Sequence, residues 1–310
     1  MFSDPSIRTL DCAGRVLSLD RPRVMGIVNV TPDSFSDGGC HADTDAAVAY
    51  ALDLVEQGAD LLDVGGESTR PGADAVPLDV ELARVLPVIE RLAAQCSVPI
   101  SVDTRRCEVM RAAVAAGAGM INDVSALAGD GALDAAAQLG VPVVLMHMRG
   151  EPRMMQDAPH YADVVAEVHS FLAQRIFACE MSGIDKKRML VDPGFGFGKL
   201  HEHNLALLAN LRRFADLGVP LMVGLSRKRL IERHRRRRRS AGLMTIEYRA
   251  LHETLARIVR QIAQRTLWHW RRRCRWPIIK HPDNDFGCGA CLIGRDQCHD
   301  GCCCLAPFRF

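Results

Sequence analysis

The sequence predicts a (β/α)8 TIM barrel with a poorly formed or missing eighth βα unit and an irregular C-terminal tail. Three observations support this fold class: seven short apolar runs alternate with longer Ala- and Leu-rich stretches, the apolar runs end in polar residues, and the composition changes abruptly near residue 233. Strands that are buried on both faces and separated by helices are typical of parallel βαβ units.

The seven predicted strands follow one another along the first three quarters of the chain. They are 23–30, 61–64, 99–103, 119–123, 141–148, 189–194 and 219–224. The stretches between them, such as 45–57 and 79–94, repeat their apolar residues at helical spacing. Glycines in the QGAD, AGAG and LGVP segments stand where these helices should end.

Polar side chains stand at or just after the ends of these strands. They are Asn29, Asp63, Asp103, Asn122 with Asp123, His147, Asp192 and Ser226. Because the active site of such a barrel lies at the carboxyl ends of its strands, the pattern predicts one shared polar mouth. Each residue taken alone is also explained as a helix cap or a turn residue. An open doubly wound sheet is the alternative fold, but no GxGxxG motif follows the first strand.

The C-terminal quarter has a different composition from the rest. Residues 1–233 carry 23 Lys+Arg and 31 Asp+Glu, whereas residues 234–310 carry 16 and 6, together with all three Trp and seven of the twelve Cys. We therefore predict a barrel over 1–233 and an atypical basic, Cys-rich tail over 234–310. Translation of this segment out of frame would explain its composition, and we then expect the tail to be partly disordered. A zinc site on CGAC (288–291) or a nucleic-acid module on the five-Arg run is the alternative.

Two long loops that contain glycine pairs follow the first two predicted strands, at 29–39 and 63–73. Glycine lets the backbone approach a ligand closely. In the second loop, Thr69 offers a hydroxyl and Arg70 a guanidinium, and both groups suit an anion such as a phosphate.

Seven motifs of the chain resemble the signature set of the dihydropteroate synthase family, in the family's order. They are TPDSFSDGG (31–39), DVGGESTRPGA (63–73), SVDT (101–104), INDV (121–124), MHM (146–148), DPGFGFGK (192–199) and GLSRK (224–228), so the resemblance spans 23–232. It implies an enzyme of folate biosynthesis that condenses 6-hydroxymethyl-7,8-dihydropterin diphosphate with 4-aminobenzoate to give 7,8-dihydropteroate and diphosphate.

The resemblance also implies a role for individual residues. Asn29 is the implied Mg²⁺ ligand, Thr69 and Arg70 contact the diphosphate, and Phe197 lies next to the amine substrate. The implied pterin pocket consists of Asp103, Asn122, Asp192 and Lys228. The resemblance adds Met146 to the substrate-binding residues and places Phe35 and Pro71 in loops that order over the substrates. The implied catalytic residues are Asn29, Arg70 and Lys228.

The residue chemistry agrees with this implied pocket. A pterin presents neighbouring N–H donors and a ring carbonyl, so carboxylates at Asp103 and Asp192 can accept and Lys228 can donate. An aromatic amine attacks without prior deprotonation, so no strong base is required. We therefore interpret His147 as a packed or hydrogen-bonded histidine rather than as a general base.

One family feature is missing, and it leaves alternative functions open. The family carries an Arg-x-His pair on its eighth strand, and this chain contains no such pattern. A synthase-like chain that binds pterin without turnover is therefore the first alternative, and a methyltetrahydrofolate methyltransferase-like barrel is another. The sequence has neither a secretory signal pattern nor an apolar run of 18 residues, so we expect a cytoplasmic location and no membrane contact. We expect no nucleic-acid partner, and the resemblance allows a homodimer.

Overall fold

The computed structural model describes residues 9–31, 40–67, 76–150 and 159–224. All of them lie within the first of the two units into which the chain divides, Met1–Thr245. Six parallel strands with intervening helices form the described part of the first unit. This arrangement confirms the predicted α/β class.

A hairpin precedes the parallel strands. Strand β1 (Thr9–Cys12) pairs antiparallel with β2 (Arg15–Ser18), and Cys12 and Arg15 are the last paired residues before the turn. The two turn residues, Ala13 and Gly14, both have positive φ, as a tight two-residue hairpin turn requires. We did not predict this hairpin from the sequence, because each strand has only four residues and Ala-Gly is a weak turn signal.

The parallel strands are hydrogen-bonded in sequence order. They are β3 (Met25–Asn29), β4 (Leu61–Gly65), β5 (Ile100–Asp103), β6 (Met120–Asp123), β7 (Val143–Met146) and β8 (Met189–Asp192). The seventh predicted strand contributes a parallel bridge between Leu221 and Val191, and Met222 N donates to Val191 O at 2.8 Å. The predicted eighth unit and the predicted tail lie beyond residue 224, outside the described residues.

A helix follows most of these strands. The helices are α1 (Cys40–Glu56), α2 (Leu78–Gln95), α3 (Cys107–Ala115), α4 (Ala132–Leu139), α5 (Val164–Met181) and α6 (His201–Ala209), with 3-10 turns at Lys186–Arg188 and Leu211–Leu217. Helix α2 buries Val85, Val88, Ile89 and Leu92, which recur at helical spacing. Asp163 caps α5 by accepting from Val165 N and Ala166 N. No helix in the described ranges is both long and apolar enough to cross a bilayer.

The hairpin packs against the amino-terminal ends of the parallel strands. Its buried Leu10, Cys12 and Leu17 form one apolar cluster with Leu61, Met120, Val144 and Leu190. We call this cluster the floor. Gly119, just before β6, has no room for a side chain, because a Cβ there would lie 2.3 Å from Cys12 O. The hairpin therefore covers the amino-terminal edge of the sheet, opposite the edge where the polar residues lie.

Candidate active site

The carboxyl ends of β3 to β6 lie at one level. The paired Cα positions run from Asn29 to Gly65, from Gly65 to Asp103 and from Asp103 to Asn122. We call the edge of the sheet that contains this row the mouth. The register thus brings together three of the predicted site residues, Asn29, Asp103 and Asn122.

Three other predicted site residues lie at or after the ends of β7 and β8. Met146 and Asp192 are Cα partners, and both side chains are buried. The Asp192 Oδ1 atom accepts from Gly194 N at 2.7 Å, which ties this carboxylate to the loop after β8. Phe197 is partly buried in the same loop, and its N donates to Gly194 O at 3.2 Å.

The remaining predicted site residues lie outside the described residues. They are Phe35, Thr69, Arg70, Pro71 and Lys228. The structure therefore describes the strand ends of the predicted site and leaves the two predicted substrate loops and Lys228 as predictions.

A buried hydrogen bond links Asn122, in the row of strand ends, to Asp63, which lies two residues before Gly65 on β4. Asn122 Nδ2 donates to Asp63 Oδ2 at 2.9 Å, and both residues are almost completely buried. Asp63 is on β4 and Asn122 on β6, so the hydrogen bond passes over β5, where Ser101 is the Cα partner of Asp63. Burial raises the pKa of Asp63, and the adjacent Ser101 hydroxyl and Asn122 amide oppose this rise.

The Asp103 carboxyl is surrounded by other acidic groups. Burial, followed by the charges of Asp63 and Asp123, raises its pKa well above the ordinary value. Part of the residue remains exposed at the mouth. A carboxyl that is costly to ionise and open to a ligand gains most from hydrogen-bond donors that the ligand supplies.

Asp123 follows Asn122 in sequence but has a local structural role. Its Oδ1 accepts from Ser125 N at 2.7 Å and its Oδ2 from Leu127 N at 2.9 Å. Burial raises the pKa of Asp123 to about 6. Asp123 is therefore a turn residue, which is the alternative explanation given above for each polar residue at a strand end.

A buried lysine joins the end of β7 to the loop after β8. Lys199 Nζ lies 2.9 Å from His147 Nδ1 and donates to three carbonyl oxygens, those of His147, Gly194 and Phe197, at 2.9–3.1 Å. Burial, followed by the charge of Lys199, lowers the pKa of His147 to about 3. His147 is therefore neutral, and its Nδ1 faces a cationic donor, which agrees with a hydrogen-bonded rather than a basic role.

The loop after β4 is fixed where it leaves the strand. Arg84 of α2 donates to Gly66 O at 2.9 Å, and Glu67 forms an ion pair with Arg105 at 3.0 Å. Gly66 packs closely on α2, because a Cβ there would lie 2.8 Å from a methyl group of Val85. The backbone that leads into the predicted diphosphate loop is thus held by α2 and by the neighbouring strand's loop.

The described residues offer few ligands for a metal ion. No group of three or more His, Cys, Asp or Glu side chains suited to a metal occurs within them. Asn29 is partly buried at the end of β3, and its amide supplies one oxygen of the kind that Mg²⁺ prefers. A Mg²⁺ ion that takes its other ligands from a diphosphate and water fits this donor set.

We did not assign site roles to Asp63, Ser101 or Lys199 from the sequence. Strand periodicity was a usable signal for the first two, since Asp63 lies two residues before Gly65 and Ser101 two before Asp103, on the same face of their strands. Lys199 ends the GFGFGK motif, but its partner His147 lies 52 positions away and no local pattern joins the two. The floor hairpin was missed as well.

Comparisons with known proteins agree with one another. The family model described as pterin binding enzyme matches residues 25–260, which extends past the last motif quoted above. The dihydropteroate synthase of Escherichia coli (strain K12) is 53% identical over 218 residues, which are 70% of this chain and 77% of that protein.

Solved structures add the same likeness in three dimensions. The Xanthomonas albilineans dihydropteroate synthase with 4-aminobenzoic acid is 69% identical, with a TM-score of 0.70 over 74% of this chain and 82% of that one. A second structure of that enzyme, in complex with 7,8-dihydropteroate, is 65% identical, with a TM-score of 0.67 and the same coverage.

Proposed function

The chain belongs to the pterin-binding enzyme family, and from this premise we infer that it is a transferase with dihydropteroate synthase activity in folate biosynthesis. It joins 6-hydroxymethyl-7,8-dihydropterin diphosphate to 4-aminobenzoate and yields 7,8-dihydropteroate and diphosphate. The relatives that support this inference are named dihydropteroate synthase, and two of their structures hold the amine substrate or the product.

One geometric observation supports the mouth as the site of this reaction. Asn29, Asp103 and Asn122 end their strands in one row of Cα partners. In this row Gly65, at the end of β4, lies between Asn29 and Asp103. A planar ring that binds over Gly65 finds a carboxyl and an amide on the same side. Asp192 supplies a second, deeply buried carboxyl from β8.

We propose that Asp103, Asn122 and Asp192 recognise the pterin by its donor and acceptor pattern. The ring's neighbouring N–H groups donate to the two carboxylates, and Asn122 adds an amide group to the same pocket. A buried pocket built for a fixed donor–acceptor set rejects analogues that lack a member of it. Lys228 and Met146 complete this proposed pocket, with Lys228 as a donor to the ring.

The diphosphate is proposed to lie over the loops after β3 and β4. Thr69 and Arg70 are its proposed ligands, and Asn29 is the proposed protein ligand of Mg²⁺. When bound, Mg²⁺ neutralises charge on the departing diphosphate. The ion pair between Glu67 and Arg105 and the contact from Arg84 to Gly66 O hold the start of the second loop in place.

The proposed chemistry is a displacement at the exocyclic methylene carbon. The C–O bond breaks with its electron pair on the diphosphate oxygen, and the amine nitrogen forms the new C–N bond and then releases one proton. The Lys199 contacts to Gly194 O and Phe197 O hold the loop that presents Phe197 to the amine. His147 is neutral and engaged by Lys199, so we assign it no proton transfer.

The direct test is turnover by the full chain. Purified protein, the pterin diphosphate, 4-aminobenzoate and Mg²⁺ should yield dihydropteroate and diphosphate in equal amounts. Calorimetric titrations with the pterin diphosphate and with methyltetrahydrofolate accompany the assay. Pterin binding without product would favour the non-catalytic alternative, and preferential binding of methyltetrahydrofolate would favour the methyltransferase-like alternative.

The other predictions of organisation stay proposals. We propose a catalytic barrel over 1–233 with a separate region over 234–310, a homodimer and a cytoplasmic location. Limited proteolysis with mass spectrometry tests the boundary, and sedimentation equilibrium tests the homodimer. Cell fractionation of the source organism tests the location.

A further inference from the structure

We propose that Asp63 is a positioning residue that fixes the orientation of the Asn122 amide, so that Asn122 presents its carbonyl oxygen, rather than its NH₂ group, to the pterin. This inference rests on the proposed function and assigns Asp63 no contact with the reacting atoms. Its evidence is the hydrogen bond from Asn122 Nδ2 to Asp63 Oδ2, 2.9 Å long and closed off from solvent.

The hydrogen bond determines which end of the amide faces the mouth. An asparagine side chain has one donor end and one acceptor end, and a bond made by one end leaves the other for a ligand. Asp63 can accept this bond whether or not it is ionised, because even a neutral carboxyl keeps a carbonyl oxygen.

Few other described groups compete for Asp63. The bond to Asn122 is 2.9 Å long, and the neighbouring Ser101 hydroxyl is the other described group whose hydrogen bond lowers the pKa of Asp63. Ser101 lies on the strand between the two residues, and its small side chain leaves space for the bond to pass over β5.

Stability alone does not explain a carboxyl at this position. Burying a carboxyl costs free energy, and an apolar side chain of similar size at such a position is often neutral or stabilising. Leu61 occupies the same face of β4 two residues earlier and packs in the floor. The residue that faces Asn122 is instead a hydrogen-bond acceptor, as a fixed amide requires.

The primary test compares D63L and D63N in the full chain by pterin titration and steady-state kinetics. D63L lets the Asn122 amide rotate, so we expect the pterin Kd to rise about ten- to a hundredfold, the range for a lost or reversed buried hydrogen bond. D63N keeps a carbonyl acceptor at the same place, so its Kd should rise by about threefold or less. The KM for 4-aminobenzoate should stay unchanged in both, because the amine lies elsewhere.

A reciprocal exchange tests the same idea without relying on D63L to fold. N122D places a carboxyl against that of Asp63 and should weaken pterin binding. Adding D63N to N122D reverses the direction of the hydrogen bond and still leaves an oxygen towards the mouth, so the double variant should recover most of the lost affinity. A purely structural role for Asp63 predicts no such recovery.

The outcomes separate the inference from the proposed function. If the unaltered chain binds no pterin, the proposed function itself is overturned and this inference with it. If the unaltered chain binds pterin, a D63L variant of equal pterin affinity, or a double variant no better than N122D alone, overturns the inference and leaves the proposed function intact.

Discussion

The two ends of the parallel strands have different roles: the floor packs apolar side chains, and the mouth presents polar groups to a ligand. At the floor, Leu61 of β4 packs against Leu10 and Leu17 of the hairpin, and this apolar contact stabilises the fold. At the mouth, four residues further along the same strand, Gly65 lies between Asn29 and Asp103. One strand therefore serves packing at its start and ligand recognition at its end.

The mouth buries groups that an optimally stable protein would avoid. Burial raises the pKa of Asp63, Asp103 and Asp123, and the Lys199 side chain is nearly buried as well. Buried ionisable groups of this kind lower stability unless they are fully paired. Removing a buried charge at the mouth should therefore lower activity and raise stability. Truncating an apolar side chain at the floor should lower stability and leave activity nearly unchanged.

The largest expected effect on activity comes from Asp103→Asn. An amide at this position turns a donor towards the N–H groups of the pterin, so we expect kcat/KM for the pterin diphosphate to fall by roughly 10²–10³-fold, the scale for one preorganised polar group. Steady-state kinetics measure this loss. Asp130→Asn, on an exposed turn, is the matched control and should keep the activity of the unaltered chain.

The same Asp103→Asn variant should be more stable than the unaltered chain. A carboxyl whose pKa is higher in the folded state binds more protons when folded, so its contribution to stability falls as pH rises from about 3.9 towards the folded pKa. Removing it should add about 1 kcal/mol, or about 2–4 °C in Tm, at about pH 8 and little at about pH 4. A lower Tm at both pH values would contradict the proposed cost of the mouth.

Two glycines test the comparison at matched positions. A Cβ on Gly194 at the mouth would lie 1.9 Å from His147 O, and one on Gly119 at the floor would lie 2.3 Å from Cys12 O. Gly194 also has a positive φ of 69°. Gly194→Ala should displace the carbonyl that Lys199 binds and lower kcat/KM by about 10²-fold, the cost of a misplacement of about 1 Å.

Gly119→Ala should act on stability instead. It pushes the hairpin away from the sheet, so we expect the free energy of unfolding to fall by about 1–3 kcal/mol, with kcat/KM nearly unchanged in the fraction that is folded. Urea denaturation gives the stability of both variants, and kinetics at a temperature well below the midpoint give the activity. Equal losses of kcat/KM in the two variants would show that the two ends are coupled.

The sequence allowed us to predict the parts of the site that depend on local pattern. The apolar runs predicted the six parallel strands, and the polar residues that end them predicted Asn29, Asp103 and Asn122 as neighbours, because parallel strands align their carboxyl ends. Five of the six observed parallel strands are shorter than predicted, and β4 is one residue longer. Pro142 stands just before β7, and His147 just after it, where His147 N still donates to Asp192 O.

The sequence did not reveal features that depend on distant contacts. The hydrogen bond between Asp63 and Asn122 joins strands that are not neighbours, and its two residues are 59 positions apart. Knowledge of the strand register and of the small Ser101 between them is needed to predict it. The floor hairpin was missed for a similar reason, since the buried faces of its two short strands become visible only against the residues that they cover.

The smallest expected effect on activity comes from Leu10→Ala in the floor. Leu10 is 1% exposed and contacts the apolar cluster, so its truncation leaves a cavity and should lower the free energy of unfolding by about 2–5 kcal/mol. The mouth lies at the other end of the strands, so we expect kcat/KM to stay within about twofold when measured well below the Tm. Chemical denaturation and steady-state kinetics on the same preparation measure both quantities.

Val16→Ala is the matched control for this prediction, because Val16 lies on the same hairpin and is 66% exposed. Its stability should change by about 0.5 kcal/mol or less, as for most surface substitutions. A large loss of stability in both variants would indicate that the hairpin contributes through its backbone pairing rather than through its buried face. Leu10→Ala could also lower kcat/KM at a temperature where the chain is fully folded. Such a loss would mean that the floor sets the geometry of the strand ends. The separation between a stabilising floor and a costly mouth would then be wrong.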